Sequence, residues 1–240
     1  MQFDLITFSF ILVLIPLIIS YKYKIGIEKE LFFNSIRAFL QLTVLGFVLG
    51  FVFKIKNPLF YIPIIFLMLL YSSYIAQKRT NFSFKAAFYS LSLSTTIILL
   101  ILIVFKIISL KPNEFIPIAG MIIGNSLNTY TLTIERIKRE LELQKELIEA
   151  FIAIGANIKE AFKIMQRQAI KAALIPVNNM LQTIGVVAIP GITTGMLLTG
   201  ASPLKAVSYQ IVIIYMLVSI NLFSALFGSF FFIKNKYSND

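Results

Sequence analysis

Asn178, Asn179, Gln182 and Thr183 place four hydrogen-bonding heads inside the otherwise apolar run Ile170–Leu198. Amides and hydroxyls of this kind neither ionise nor attack at neutral pH; they bind by donating and accepting hydrogen bonds. Asn178 and Gln182 share one helix face, and Asn179 and Thr183 another, because each pair is four residues apart. Asn125, in the run Ile118–Asn125, is a fifth group of the same type. In lipid such groups are costly, so each must face protein or water. One reading is hydrogen bonding between helices. The other is a wet pathway, favoured because Pro176 and Gly185, which bracket Asn178 and Gln182, should kink or unwind the helix. Met121, Met180, Met196 and Met216 could offer thioethers to a soft metal, but their first use is gap-filling.

Other chemistries are poorly served. The chain has no His and no Cys, which excludes disulfides, thiolate nucleophiles and imidazole ligands. Its acids are Asp4, Glu28, Glu30, Glu114, Asp240 and the Glu residues of the region 131–169, none at the middle of an apolar run. A membrane hydrolase would need a nucleophile with its base, or a metal-bound water. A retinal-type receptor would need a mid-membrane Lys on the last helix, and Lys205 stands at that helix's outer end. No Gly-rich Lys-Ser/Thr phosphate loop occurs, so ATP would have to be hydrolysed by another chain. An ATPase-independent channel or secondary transporter is the alternative, weakened by the lack of intramembrane ionisable groups for ion coupling.

The elements that must position these groups come from the apolar runs. Hydrophobic residues make up 58% of the chain and charged residues 14%, far from the balance of a soluble domain. Runs at Phe3–Ile19, Leu31–Phe53, Leu59–Ala76 and Ala86–Ile108 are read as the first four spanning helices. The first is not read as a cleaved signal, since no basic segment precedes it and no small-residue site follows. The fifth helix begins near Glu114–Pro117, with Gly120 and Gly124 as a small-residue face for close helix packing. It meets no breaker before Gly155. A continuous helix of that length measures on the order of 55 Å, so its second half must leave the bilayer. That half carries an apolar stripe, Ile134, Ile137, Leu141, Ile148 and Phe151, read as packing on the chain itself or on a second copy. Ile170–Leu198 is the sixth span, interrupted by Pro176, Gly185, Pro190, Gly191 and Gly195, and Leu204–Ile233 is the seventh.

Between the fifth and sixth spans lies Glu149–Pro176, the one long insert that mixes charge with apolar side chains. Gly155 suits the positive φ found just past a helix end. Asn157 can cap a short new helix, with Glu160 reaching back to it. Ile158, Phe162 and Met165 then share one face, expected to protrude and dock into a partner.

The expected architecture is therefore all-α and membrane-embedded. It has about seven transmembrane helices, a cytoplasmic extension of helix five and a short coupling helix, all in a single domain, 1–240, with the coupling region at about 131–169. Only five of the 22 basic residues fall on one side of this layout: Lys54, Lys56, Lys106, Lys111 and Lys205. By the positive-inside rule the amino terminus is outside and the carboxyl terminus cytoplasmic. The net charge of +11 thus reflects topology and anionic lipid rather than nucleic acid.

Glu149-Ala150-Phe151, Gly155-Ala156 and Ala161-Phe162 resemble the cytoplasmic loop through which ABC transporter permeases engage their ATPase. More of the chain is similar to the FetB-type permeases, which are related to plant aluminium-tolerance permeases. That similarity is carried by Arg37-Ala38 with Gln41-Leu42, Ala76–Arg79, Ile116–Met121 with Gly124-Asn125, Ala172–Pro176, Pro190-Gly191 with Gly195, and Pro203 with Lys205-Ala206 and Tyr209-Gln210. One departure is that the first loop element reads Glu-Ala-Phe and Pro176 lies far from Gly155, which argues against the importer subtypes. The resemblance implies a non-enzymatic permease subunit in the inner membrane, paired as a homodimer and driven by a cytoplasmic ABC ATPase. It also implies export of an iron-like metal ion or a metal chelate. ATP and Mg would be bound by the partner, and no cofactor by this chain. Glu149, Gly155, Ala156, Ile158, Phe162 and Met165 are then the coupling residues. Hard metals prefer carboxylate or carbonyl oxygen, whereas this core offers amides, hydroxyls and thioethers.

Overall fold

The computed structural model describes residues 10–54, 57–155 and 162–237. Residues 1–56 form one compact unit and residues 57–240 another.

In the first unit, α1 (Ile11–Lys22) and α2 (Glu28–Val52) form a helical hairpin. Ser20 Oγ donates to Glu28 Oε1 at 2.7 Å and fastens the turn. Phe10 and Phe39 meet edge to face at 5.7 Å.

The second unit opens with a 3₁₀ turn at Pro58–Phe60, capped by Asn57 Oδ1 accepting from the Leu59 amide at 3.0 Å. It leads into α3 (Tyr61–Thr80). Asn81 ends that helix at φ 46°. There Lys138 Nζ donates to the carbonyls of Thr80 and Asn81 at 2.6 and 3.2 Å, a cation placed where a helix leaves its last carbonyls unpaired. Next, α4 (Phe84–Val104) starts on the Ser83 hydroxyl. The longer α5 (Pro112–Leu143) starts on Pro112 and Glu114, residues suited to a first turn. After α5 come α6 (Lys145–Ala153), α7 (Lys163–Ala173), α8 (Ile175–Thr183), α9 (Gly191–Leu198) and α10 (Pro203–Tyr237).

Among the described residues four helices are long and apolar enough to cross a membrane: Glu28–Val52, Pro58–Thr80, Phe84–Val104 and Pro203–Lys236. All regular structure among the described residues is helical, apart from a single bridge between Ile184 and Ala188.

The core is built around α5, which packs against α3, α4, α7 and α10. Its buried residues Ile116, Ala119, Ile123, Ser126, Tyr130, Thr133 and Ile137 follow a three-or-four spacing. Small side chains let α5 and α10 approach closely. Ser126 Oγ donates to Ser224 Oγ at 3.0 Å, and Ser224 Oγ to the Ser126 carbonyl at 2.7 Å. Gly228 lies so near Tyr130 that a Cβ there would stand 3.0 Å from the ring. Of the expected small-residue pair, Gly120 faces Met68, whose methyl carbon would stand 3.2 Å from a Cβ placed there, while Gly124 has open space beside it.

The expected continuous helix from Glu114 to Gly155 is broken. Gln144 adopts φ −112° and ψ 20°, separating α5 from α6. Its side-chain Nε2 donates to Glu140 Oε2 at 2.7 Å and Gln168 Oε1 at 2.8 Å, tying the break to α7. The break lets α6 turn Ile148 and Phe151 onto the same cluster as Ile134 and Ile137. The apolar stripe therefore packs on its own chain.

Candidate functional site

The sixth apolar run folds as three short helices lying antiparallel to α10. Gln166 Nε2 donates to Ser229 Oγ at 2.8 Å near one end, and Thr193 Oγ1 to Gln210 Oε1 at 3.3 Å near the other. The nineteen residue steps from Gln210 to Ser229 cover roughly 28 Å as continuous helix. On the facing stretch of chain twenty-seven steps, from Gln166 to Thr193, span the same rungs, and the surplus is taken up by two interruptions. One is Leu174, which closes α7 and opens α8 just before Pro176. The other is the turn 184–188, where Gly185 sits at φ 81° and its amide bonds the Ala188 carbonyl at 2.9 Å. Proline cannot donate the missing bond and glycine alone takes that φ without strain. Irregular backbone at membrane depth is tolerated where it is buried in protein or lines a cavity.

A cavity of about 200 Å³ lies at the first interruption. The wall given by α7 and α8 includes Ala173, Pro176, Val177 and Met180. The opposite wall carries the polar side chains, Asn125, Asn128 and Thr129 beside Leu132 on α5 and Asn221 on α10. The α5 residues stand three and four apart and so share a face. Thr129 Oγ1 donates to Asn221 Oδ1 at 2.7 Å, with the two residues 5% and 7% exposed. Asn125 Nδ2 donates back to the Met121 carbonyl at 2.8 Å, leaving its Oδ1 as acceptor. Arranged this way, the lining can bind through hydrogen bonds and has no side chain suited to acid–base or nucleophilic work.

Of the expected pathway residues, only Asn125 lies in this cavity. Asn178, Asn179, Gln182 and Thr183 are exposed on α8, and Thr183 Oγ1 donates to the Asn179 carbonyl at 3.0 Å. Asn128, Thr129 and Asn221 escaped the sequence reading. The i, i+3, i+4 spacing of Asn125, Asn128 and Thr129 was a usable signal. Asn221 offered only one amide in a long apolar run.

The coupling residues divide differently. Glu149 is exposed and pairs with Lys145 at 3.8 Å. Gly155 takes φ 90° just after α6. Ala156 and Ile158, and with them the Asn157 cap, lie outside the described residues. Phe162 and Met165 do not protrude: each is 1% exposed, packed in the cluster that holds Ile137, Ile148, Ala169 and Phe232. The expectation of an outward docking face at these two positions is corrected accordingly. Phe162, Met165, Ala169 and Ala173 recur at helical spacing and make the core face of α7. Beside Phe162 a second cavity of about 540 Å³ is rimmed by Lys138, Glu142, Lys145 and Glu149.

Comparison with known proteins gives four concordant matches. The model of the family described as "Uncharacterised protein family (UPF0014)" matches residues 3–237. The "Probable iron export permease protein FetB" of Escherichia coli (strain K12) is 30% identical over 96% of this chain and 90% of its own length. "Protein ALUMINUM SENSITIVE 3" of Arabidopsis thaliana is 32% identical over 88% of this chain and 78% of its own. The "UPF0014 membrane protein YjkA" of Bacillus subtilis (strain 168) is 34% identical over 90% and 87%. No solved structure matches the chain.

Proposed function

The chain belongs to the UPF0014 family of membrane proteins, and from that membership we propose that it is the permease subunit of an ATP-driven metal exporter. The observation that carries this reading is the near full-length match to a relative whose name is that of an iron export permease. In the proposed arrangement the whole chain, 1–240, is one permease domain with seven spans: α1 to α5, the broken α7–α9 segment and α10. The amino terminus is outside, the carboxyl terminus cytoplasmic, and the membrane is the inner one. Two copies pair, and each engages a separate ABC ATPase that binds ATP and Mg. This chain carries no catalytic residue of its own.

The coupling region is the segment from Glu149 to Met165, re-drawn around the buried anchors. Phe162 and Met165 root the start of α7 in the core, and the residues ahead of them meet the ATPase. Closure of the ATPase pushes on that segment. The push passes along α7 to the kink at Leu174, whose far side is the wall of the Asn125–Asn221 cavity. A movement there thereby changes the shape of the cavity.

The test is transport in inside-out membrane vesicles holding the permease and its ATPase. ATP-dependent accumulation of iron or manganese, with the ATPase co-purifying on the permease, is the expected result. Metal movement that ignores ATP, or a permease that retains no ATPase, overturns it.

Asn178 and Gln182 supply a sharper check. They share one exposed face of α8, and in the proposed dimer they face the wet central axis. Asn178→Leu and Gln182→Leu are each expected to leave dimer assembly intact while lowering transport roughly tenfold, the equivalent of one or two lost hydrogen bonds. A weakened dimer with normal transport per complex, read by crosslinking and vesicle uptake, would assign these amides to helix bonding instead.

A further inference from the structure

The second interruption of the sixth run leaves hydrogen-bond donors without acceptors. α9 starts on Gly191 after Pro190, and no side chain caps it. The first amides of a helix have no partner within the helix, and the Thr194 amide is the first to bond, to the Pro190 carbonyl. The amides of Gly191, Ile192 and Thr193 therefore find no acceptor among the described residues. Gln210 on α10 adds a side-chain donor. It is nine-tenths buried, and its Oε1 accepts from Thr193 Oγ1, so the nitrogen is left over. That Nε2 makes no hydrogen bond among the described residues.

Thr193 and Gln210 line a cavity of about 400 Å³ whose other side chains are apolar, among them Ile184, Ile189, Leu197 and Ile214. No lining residue carries a charge, so the cavity suits a neutral acceptor on an apolar body. It opens onto an apolar surface, because Ile189, Val207 and Ile211 are exposed as well as lining it.

The depth of the site follows from α10. Ile211–Ile233 holds no charged residue and measures about 33 Å as helix, enough to fill the hydrocarbon layer. Gln210 stands at the end of that run, with Tyr209 beside it and Lys205 a little beyond, the residue types of an interface. At this boundary the acceptors that a membrane supplies are the ester carbonyls of its glycerophospholipids.

We infer that the cavity between α9 and α10 holds a membrane glycerophospholipid. An ester carbonyl accepts from Gln210 Nε2 and the Thr193 amide, and an acyl chain runs along Ile211, Ile214, Ile184 and Ile189. The lipid gives the broken backbone an acceptor that water would supply poorly among apolar walls.

The chain has no tryptophan, so Val207→Trp, on the wall of the cavity, is a single fluorescent reporter. The permease is placed in bilayers that mix a quenching, brominated diacyl phosphatidylcholine with unbrominated phosphatidylcholine, either diacyl or diether. The diether lipid keeps the headgroup and chains and lacks only the ester carbonyls. Competition at the reporter should favour the diacyl lipid by about fivefold, the weight of one hydrogen bond. Leu67→Trp, on the exposed side of α3, should show no preference. Gln210→Leu beside Val207→Trp should abolish the preference while quenching itself remains. Should Gln210→Leu fail to fold, the lipid comparison with Gln210 in place still decides.

Equal affinity for the two lipids at Val207→Trp overturns the inference and leaves water on these donors. A preference that survives Gln210→Leu, or appears equally at Leu67→Trp, overturns the assignment to this cavity. A reporter that brominated lipid cannot quench, with disulfide crosslinking of Val207→Cys between copies, overturns it in favour of a second copy of the chain.

Discussion

Phe162→Ala should lower the stability of the permease by about 3–5 kcal/mol, the range for removing a buried aromatic ring from a close-packed site. Phe162 is 1% exposed and shares its cluster with Ile137, Ile148, Met165 and Phe232. The cluster lies beside Lys138, Glu142 and Lys145, charges that belong in water or headgroups, so apolar burial from water is available to it. Truncating the ring leaves a void between α6, α7 and the end of α10, and it unfastens the segment that α7 anchors. Thermal unfolding in detergent should register the loss before any effect on the ATPase is considered. A permease within about 1 kcal/mol of wild type that has nonetheless lost its ATPase would show an outward-facing ring. Binding hot spots behave that way: truncation costs association rather than folding.

The burial of Phe162 also bears on the coupling role we propose for this region. In that proposal Phe162 and Met165 tie the start of α7 to the core, so a push delivered ahead of them moves the helix. Glu149 and Lys145 form an exposed pair on α6, and charge reversal there is expected to change association with the proposed ATPase with little effect on folding.

The contrast between Phe162 and Asn221 shows where the sequence was informative. The apolar runs were legible because length and hydropathy alone specify a span: Leu59–Ala76 was expected and Pro58–Thr80 is found. The interruptions of the sixth run were legible too, since Pro176, Gly185 and Pro190 cannot all sit in one straight helix. Helical spacing correctly put Phe162 and Met165 on one face. It could not say whether that face meets a partner or the chain's own core, because both demand the same apolar periodicity. The break at Gln144 carries no Pro or Gly and depends on Gln168 across the fold. Asn221 was missed for the same kind of reason. Its meaning comes from Thr129, ninety-two residues away, and no local spacing reports such a pair. The Gly120–Gly124 pattern suited a close helix contact, yet the tightest approach is made by Gly228 on a helix read only for its hydropathy.

Gly228→Ala should cost about 1–3 kcal/mol through overpacking, and Gly228→Leu should prevent α5 and α10 from closing at all. A Cβ at this position would stand 3.0 and 3.4 Å from two carbons of the Tyr130 ring and 3.7 Å from Ser90 Oγ. The ring is wholly buried and belongs to the central cluster, so it has nowhere to retreat. In membranes, helices associate largely through such close packing, since lipid is as apolar as the side chains it replaces. The Tyr130 hydroxyl has no hydrogen-bond partner among the described residues, so the clash concerns the ring and not a bond. Tyr130→Phe should therefore be neutral or mildly stabilising and give no rescue of Gly228→Ala. Tyr130→Leu, which withdraws the ring edge, should recover part of the loss, with a coupling of roughly 0.5–3 kcal/mol in the double-mutant cycle. Rescue by Phe as complete as rescue by Leu would mean that the hydroxyl, and not the ring, is what Gly228 makes room for. Additivity across all the pairs would place the two residues out of contact, and with them the α5–α10 seam that supports Thr129 and Asn221.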